Sequence, residues 1–280
     1  MSKSRFSLYR YQLLPKDRYF QGDLYGFSSV EELIAHKNEI FAKALRAPSV
    51  FKGGRSETKA QLVYDDSDVM LFRVAVNRSV EIETQDFNSK TVDSWPKVWV
   101  AILNSPDSQI VAVQSRPKAF QHPSAVVKIL AKSLEDSLSR SQLSAAWEPM
   151  VEKRIFWDLI HKHEGRIKKV EFELVTPNMA SISKALPENL KELAKRSNAV
   201  KSTLALESAD DSSLVLSESE SLVRGLADYT SEGGGNVSIS LSGVKKKIHT
   251  STTVKEIEIS DAKLEGDPKD IADILKGLLR

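Results

Sequence analysis

The feature that most constrains this fold is a run of strand-like segments joined by short turns. Between residues 59 and 115 the chain reads KAQLVYD, DVMLFRVAV, SVEIET, KVWVAIL and QIVAVQS, with turns at Asn77 and Arg78 and in NSPDS. Short local links suit neighbouring antiparallel strands, whereas parallel strands need a longer crossover connection. We therefore predict an antiparallel meander in the first half of the chain.

Amphipathic helices accompany these strands. The segment SSVEELIAHKNEIFAKAL places Ser29 three residues before Glu32, which is the spacing of a capping box. A second helix is predicted in PSAVVKILAKSLEDSL, where apolar residues recur at helical spacing. A third, in ALPENLKELAKRSN, is predicted to bury Leu186, Leu190, Leu193 and Ala194.

The second half of the chain alternates strand and helix patterns. RIKKVEFELV is predicted as a strand and DPKDIADILKGLLR as a closing helix that Asp267 can cap. The serine-rich residues 139–144 are the best linker candidate. We predict an α+β protein with an N-terminal domain at 1–143 and a C-terminal domain at 144–280.

Composition narrows the class of protein. With 41% hydrophobic and 28% charged residues among 280, the chain has an ordinary globular composition. The absence of cysteine excludes disulfides, thiolate nucleophiles and cysteine metal sites. No apolar run approaches the roughly 20 residues of a membrane span, so we expect a soluble cytoplasmic protein. The net charge is only +2, so any basic surface must be local.

No catalytic signature is present: the chain lacks a Walker loop, GxSxG, HExxH and the dinucleotide-binding glycine pattern. His161 and His163 are two residues apart, which is poor spacing for metal ligands on a helix. Glu171 and Glu173 share one strand face, as paired carboxylates do in metal nucleases, although no lysine follows two residues later. We predict no catalytic residue, no metal and no cofactor.

Two basic segments are candidates for phosphate contacts. In FKGGRSETK, Lys52 and Arg55 flank two glycines whose conformational freedom would let backbone N–H groups converge on an anion. Arg166, Lys168 and Lys169 open the strand RIKKVEFELV. The alternatives are a flexible connection in the first case and a solvated strand end in the second.

The segment EGGGNVSISLSGVKKKIHT, residues 232–250, is the strongest candidate. Its apolar residues alternate with serines, which predicts a half-buried strand, a turn at Ser242 and Gly243, and a return strand with Val244 and Ile248 in the core. We call residues 232–250 the ribbon. Its lysines and hydroxyl groups can contact phosphate oxygens of a nucleic acid, and such contacts do not depend on the base sequence. The predicted contacts on this ribbon are Ser238, Ser240, Lys245, Lys246, Lys247 and His249.

A competing interpretation concerns the next strand, VKEIEIS. If this strand pairs beside the ribbon, its outward Glu256 and Glu258 would neutralise the lysines across strands. The ribbon would then be a soluble hairpin without a binding role.

The order of segments resembles the phage-lambda RexA family of exclusion proteins and related prophage and bacterial defence proteins. The matching segments are VMLFRVAV, KVWVAILNSPDSQIVAVQSR, SAVVKILAKSL, AAWEPMV, FWDLI, VEFELVTPN and DYTSEGGGNVSISLSG, which together cover most of the chain. The resemblance implies a two-domain α+β protein that binds DNA with little sequence preference as a dimer, in a system whose effector is a separate membrane protein.

Three functions follow, in order of preference. The first is a non-enzymatic DNA-binding protein of phage defence. The second is an adaptor or inhibitor that binds a protein through exposed strands, which the near-neutral total charge favours. The third is a metal-dependent nuclease that uses Glu171 and Glu173.

Overall fold

The chain has an α+β fold made of antiparallel sheets and helices. The computed structural model describes residues 2–19, 26–52, 56–66, 68–177 and 179–279. Contacts divide the chain into two compact units. Unit 1 comprises Met1–Ser7, Asn38–Ser141 and Glu256–Arg280, and unit 2 comprises Leu8–Lys37 and Gln142–Lys255.

These units differ from the predicted domains 1–143 and 144–280 at both ends of the chain. The boundary after Ser141 lies within the predicted linker, but Leu8–Lys37 belongs to unit 2 and Glu256–Arg280 to unit 1. The reason is strand pairing. The first strand, β1 (Lys3–Pro15), pairs near its start with β13 (Glu256–Ser260) and further along with β8 (Leu143–Pro149).

Unit 1 contains the predicted antiparallel meander, but SVEIET lies outside it, in a separate two-stranded sheet. Its sheet has the order β13-β1-β7-β6-β3-β2, and the β2–β3, β3–β6 and β6–β7 pairs are all antiparallel. A separate hairpin pairs β4 with β5. The strands are β2 (Thr58–Asp65), β3 (Val69–Val76), β4 (Val80–Glu83), β5 (Ser89–Val92), β6 (Lys97–Ser105) and β7 (Ser108–Gln114).

The helices of unit 1 are α2 (Pro123–Arg140) and α7 (Pro268–Leu279), together with the end of α1 (Val30–Leu45). The predicted apolar face of α2 is confirmed. Its buried residues are Val126, Val127, Leu130, Leu134 and Leu138. Asp267 caps α7 as predicted, because its carboxylate accepts a hydrogen bond of 2.8 Å from the backbone N–H of Lys269.

The start of α1 carries the predicted cap with one difference. The Ser29 hydroxyl accepts from the Glu32 backbone N–H at 3.2 Å, as a capping box requires. The Glu32 carboxylate, however, accepts from the backbone N–H of Ser28 at 2.6 Å and from the Ser28 hydroxyl. These bonds lower the pKa of Glu32.

Unit 2 contains a four-stranded antiparallel sheet of order β10-β9-β11-β12. Apolar residues of β9 and β11 pack with helices α3 and α6 in one core. The elements of unit 2, besides β8 and the beginning of α1, are α3 (Lys153–Lys162), β9 (Ile167–Val175), α4 (Ala180–Ser183), α5 (Glu188–Arg196), β10 (Lys201–Glu207), α6 (Ser221–Tyr229), a π-helical turn (Thr230–Gly234), β11 (Gly235–Leu241), β12 (Ile248–His249) and a 3₁₀ turn (Thr250–Thr252).

The buried stripe predicted for the segment ALPENLKELAKRSN, which contains α5, is partly wrong. Leu186 and Ala194 are buried, and Leu190 packs against the core of unit 2, but Leu193 is 65% exposed.

Within the described residues, no helix combines the length and apolarity needed to cross a bilayer.

Candidate nucleic-acid interface

The predicted serine strand is β11, which lies between β9 and β12 in the sheet of unit 2. Val237, Ile239 and Leu241 are buried in the core, whereas Ser238 and Ser240 are half-buried on the opposite face. This alternation agrees with the prediction from the sequence. The outer face of β11 therefore offers hydroxyl groups, as the ribbon hypothesis requires.

The predicted return strand is much shorter than expected. Only Ile248 and His249 pair with β11, opposite Ile239 and Ser238, and residues 242–247 form a loop that connects the strands. The placement of Val244 in the core was wrong, because it lies in this loop and is 41% exposed. Ile248 packs against the core as predicted.

Two of the predicted cations are paired with one carboxylate on β9. Glu171 accepts hydrogen bonds from Lys247 and from the Ser238 hydroxyl, the latter at 3.1 Å. Lys169 lies 3.3 Å from Glu171 and 3.2 Å from Glu207. The bonds from Lys247 and Lys169 lower the pKa of Glu171 to about 2. Lys169 and Lys247 are therefore partly neutralised.

The competing interpretation named the wrong carboxylates. VKEIEIS forms β13, which pairs with β1 in unit 1 and not with the ribbon. Glu256 accepts from the Ser7 hydroxyl at 3.1 Å, and Glu258 accepts from Lys3 at 2.9 Å. The neutralising group is Glu171, whose strand pairs with β11 on the other side from β12.

Lys168 has a structural role. Its ammonium group donates to the backbone carbonyl of Ala209 at 3.1 Å and also to those of Asp210 and Ser212. It thereby holds the loop that follows β10. A phosphate contact by Lys168 would have to break these bonds.

Three other cations remain exposed at one end of this sheet. The backbone N–H of Ser242 donates to the carbonyl of Arg166 at 2.8 Å, so the ribbon loop lies beside the turn that precedes β9. Arg166, Lys245 and Lys246 are exposed, and no carboxylate of the described residues lies within 4 Å of their charged nitrogens. We call these three residues the loop-end cluster.

His249 and the glycines have different surroundings. His249 is exposed, with its Nδ1 at 3.5 Å from the Asn236 amide. The glycine run is tightly packed: a Cβ on Gly234 would lie 2.4 Å from the Tyr229 ring, and one on Gly235 would lie 1.9 Å from the Glu173 carbonyl oxygen. Close packing therefore accounts for these glycines.

The other predicted basic segment belongs to unit 1. Lys52 is exposed and borders a cavity of about 440 Å³ between the end of α1 and strands β2 and β3. Arg55 and the neighbouring glycines lie outside the described residues. The phosphate site proposed for the FKGGRSETK segment therefore stays a prediction.

The paired glutamates share the outer face of β9, as predicted. Glu173 accepts from Lys201 at 2.5 Å, and Lys201 also donates to Glu148 at 3.0 Å. Both glutamates thus interact with lysines. Among the described residues, no group of three or more His, Asp or Glu side chains is arranged to hold a metal ion.

The sequence reasoning missed a second group of cations, in unit 1. Arg73, Lys97 and Arg116 line one pocket of about 350 Å³. They belong to three different parts of the meander, so their proximity is a product of strand pairing. The available signal was an arginine inside the otherwise apolar strand VMLFRVAV.

Comparisons with family models, curated proteins and solved structures found no match to this chain.

Proposed function

We propose that this chain binds DNA without catalysis, through phosphate contacts and with little sequence preference, and that the loop-end cluster supplies the main contacts. The observation that carries the proposal is that Arg166, Lys245 and Lys246 are exposed and have no carboxylate partner among the residues that the structure describes. Unpaired cations can neutralise phosphates and release counterions without first breaking an ion pair within the protein. Such contacts position a protein on DNA but carry no direct sequence information.

The remaining ribbon residues have a secondary role in this proposal. Lys247 and Lys169 would have to exchange Glu171 for a phosphate, so each contributes less than an unpaired lysine. Ser238, Ser240 and His249 supply hydrogen-bonding groups on the outer face. The order of segments that resembles RexA supports placing the protein in cytoplasmic phage exclusion, as a dimer acting with a separate membrane effector.

A salt titration tests the proposal. Fluorescence anisotropy with two duplexes of unrelated sequence should show similar affinities that fall steeply as salt increases. Replacing Arg166, Lys245 and Lys246 by Gln should weaken binding to both duplexes and reduce the salt slope by roughly 0.9 for each lost contact. Lys245→Gln alone should weaken binding more than Lys247→Gln.

The matched control removes three exposed cations elsewhere in unit 2, by Arg154→Gln, Lys184→Gln and Lys195→Gln. It changes the net charge equally, so a general electrostatic effect would weaken both triple variants alike. Absence of binding at low salt, or equal losses in the two variants, would refute the proposal.

The second candidate, a protein-binding adaptor or inhibitor, is favoured by the edge of the same sheet. β10 is the outermost described strand there, and beside it lies an apolar groove of about 330 Å³ that includes the exposed Leu193. An extended segment of a partner protein could add a strand to this edge. Pull-down from nuclease-treated lysate should then retain a partner that Leu193→Ser loses, whereas a DNA-mediated association disappears on nuclease treatment.

A further inference from the structure

The pocket that holds the second group of cations lies wholly in unit 1. Arg73 on β3 is the direct cross-strand neighbour of Trp99 on β6, Lys97 begins β6, and Arg116 follows the end of β7. The pocket volume of about 350 Å³ is near the lower limit of the range that small-ligand sites occupy.

The cations in this pocket have no acidic partner in the part of the chain that the structure describes. Among the described residues, no carboxylate lies within 4 Å of the charged nitrogens of Arg73, Lys97 or Arg116. The Arg73 guanidinium carbon lies 4.5 Å from the centre of the Trp99 ring, and the buried Arg73 Nε has no hydrogen-bond partner in the described part of the chain. Arg116 donates to the Lys97 backbone carbonyl at 2.9 Å. Three like charges thus line one pocket, where an anion would relieve their repulsion.

The other wall of the pocket is acidic and hydrogen-bonded. The Trp99 backbone N–H donates to the Gln114 side-chain carbonyl at 3.1 Å, and the Gln114 amide donates to the Ser4 hydroxyl at 2.8 Å. Ser4 in turn donates to Asp261 at 2.7 Å, and Glu265 lies exposed at the rim. These carboxylates oppose an anion on their own side but can accept hydrogen bonds from hydroxyl groups of a ligand.

We propose that this pocket binds a phosphate monoester of a small hydroxylated compound, such as a sugar phosphate. The phosphate dianion lies among Arg73, Lys97 and Arg116, because guanidinium forks match phosphate oxygens in charge and geometry. The ligand's hydroxyl groups face Asp261 and Glu265. A nucleobase has no stacking surface here, because Trp99 is only 7% exposed and Arg73 covers its ring.

Calorimetric titration of the full chain with ribose 5-phosphate tests this assignment, with inorganic phosphate and ribose as comparison ligands. Ribose 5-phosphate should bind more tightly than inorganic phosphate, and ribose should not bind. Arg116→Gln and Lys97→Gln should each weaken binding of ribose 5-phosphate about tenfold or more, since hydrogen bonds to charged groups are the strong ones. Lys128→Gln, an exposed change on α2, should leave the affinity unchanged.

The assignment is overturned if ribose 5-phosphate gives no binding heat, if inorganic phosphate binds as tightly, or if the two pocket variants bind like the Lys128→Gln control. The loop-end triple variant separates the two proposals. It should lose DNA affinity and keep wild-type affinity for ribose 5-phosphate, because the cluster and the pocket belong to different units.

Discussion

Replacing Glu171 by Gln tests the electrostatics of the ribbon directly. The carboxylate accepts from Lys247, Lys169 and Ser238 on the outer face of the unit 2 sheet. Gln keeps the size of the side chain and its hydrogen-bonding capacity but removes the charge that holds both lysines. The change therefore isolates the ionic contribution of Glu171 from its packing.

The expected magnitude follows from the lowered pKa of Glu171. A fall from about 4.3 in the unfolded chain to about 2 in the folded protein corresponds to at most about 3 kcal/mol. Because the lysine partners are partly exposed, solvent screening reduces this contribution to about 1 kcal/mol. A carboxylate with a depressed folded pKa stabilises the protein above the unfolded pKa, and this stability disappears as the pH falls from about 5 towards 2.

Urea unfolding at pH 7 and pH 3 measures the effect. Glu171→Gln should lower the free energy of unfolding by about 1 kcal/mol at pH 7, and the difference from wild type should fall by more than half at pH 3. Glu173→Gln is the matched control on the same strand face, and it should cost less because Lys201 keeps Glu148 as a partner. A loss that is equally large at both pH values would refute the ion-pair explanation.

The same variant separates the functional candidates. If the ribbon binds phosphate, Glu171→Gln releases Lys247 and leaves Lys169 paired with Glu207 alone, so DNA affinity and the salt slope should both increase. If the glutamates hold a catalytic metal, wild type should cleave plasmid DNA with Mg²⁺ or Mn²⁺ and the variant should not. An intact plasmid after long incubation with wild type removes the nuclease candidate.

Two further predictions concern the backbone. Gly235→Ala should destabilise unit 2 by about 3 kcal/mol or more, because the new Cβ would lie 1.9 Å from the Glu173 carbonyl oxygen. Gly277→Ala on α7 is the control: its Cβ would meet open space, so it should stabilise the protein by up to about 1 kcal/mol. Thermal unfolding measures both variants, and a shift of both midpoints in the same direction would contradict the prediction. Ser29→Ala removes the acceptor at the start of α1 and should cost about 1 kcal/mol in urea unfolding, with Ser29→Thr close to wild type.

The secondary structure was largely predictable because its signals are local. Alternation defined β11, helical spacing defined α2, and residue chemistry at helix starts identified the caps at Ser29 and Asp267. The failures occurred where a residue's partner lies far away in the chain. Leu193 fits the helical stripe of α5, yet it lies where unit 2 leaves an open groove rather than a packed neighbour.

The sequence by itself determined which face of each strand is apolar and where hydroxyls and lysines lie on the ribbon, because side chains alternate with a period of two along any strand. Only the tertiary structure decided which charges remain available. Lys247 meets Glu171, which is 76 positions earlier in the chain, while Glu256 and Glu258 pair with the first strand instead. Charge pairing depends on strand order, and strand order is set by the burial of whole sheets rather than by any local pattern.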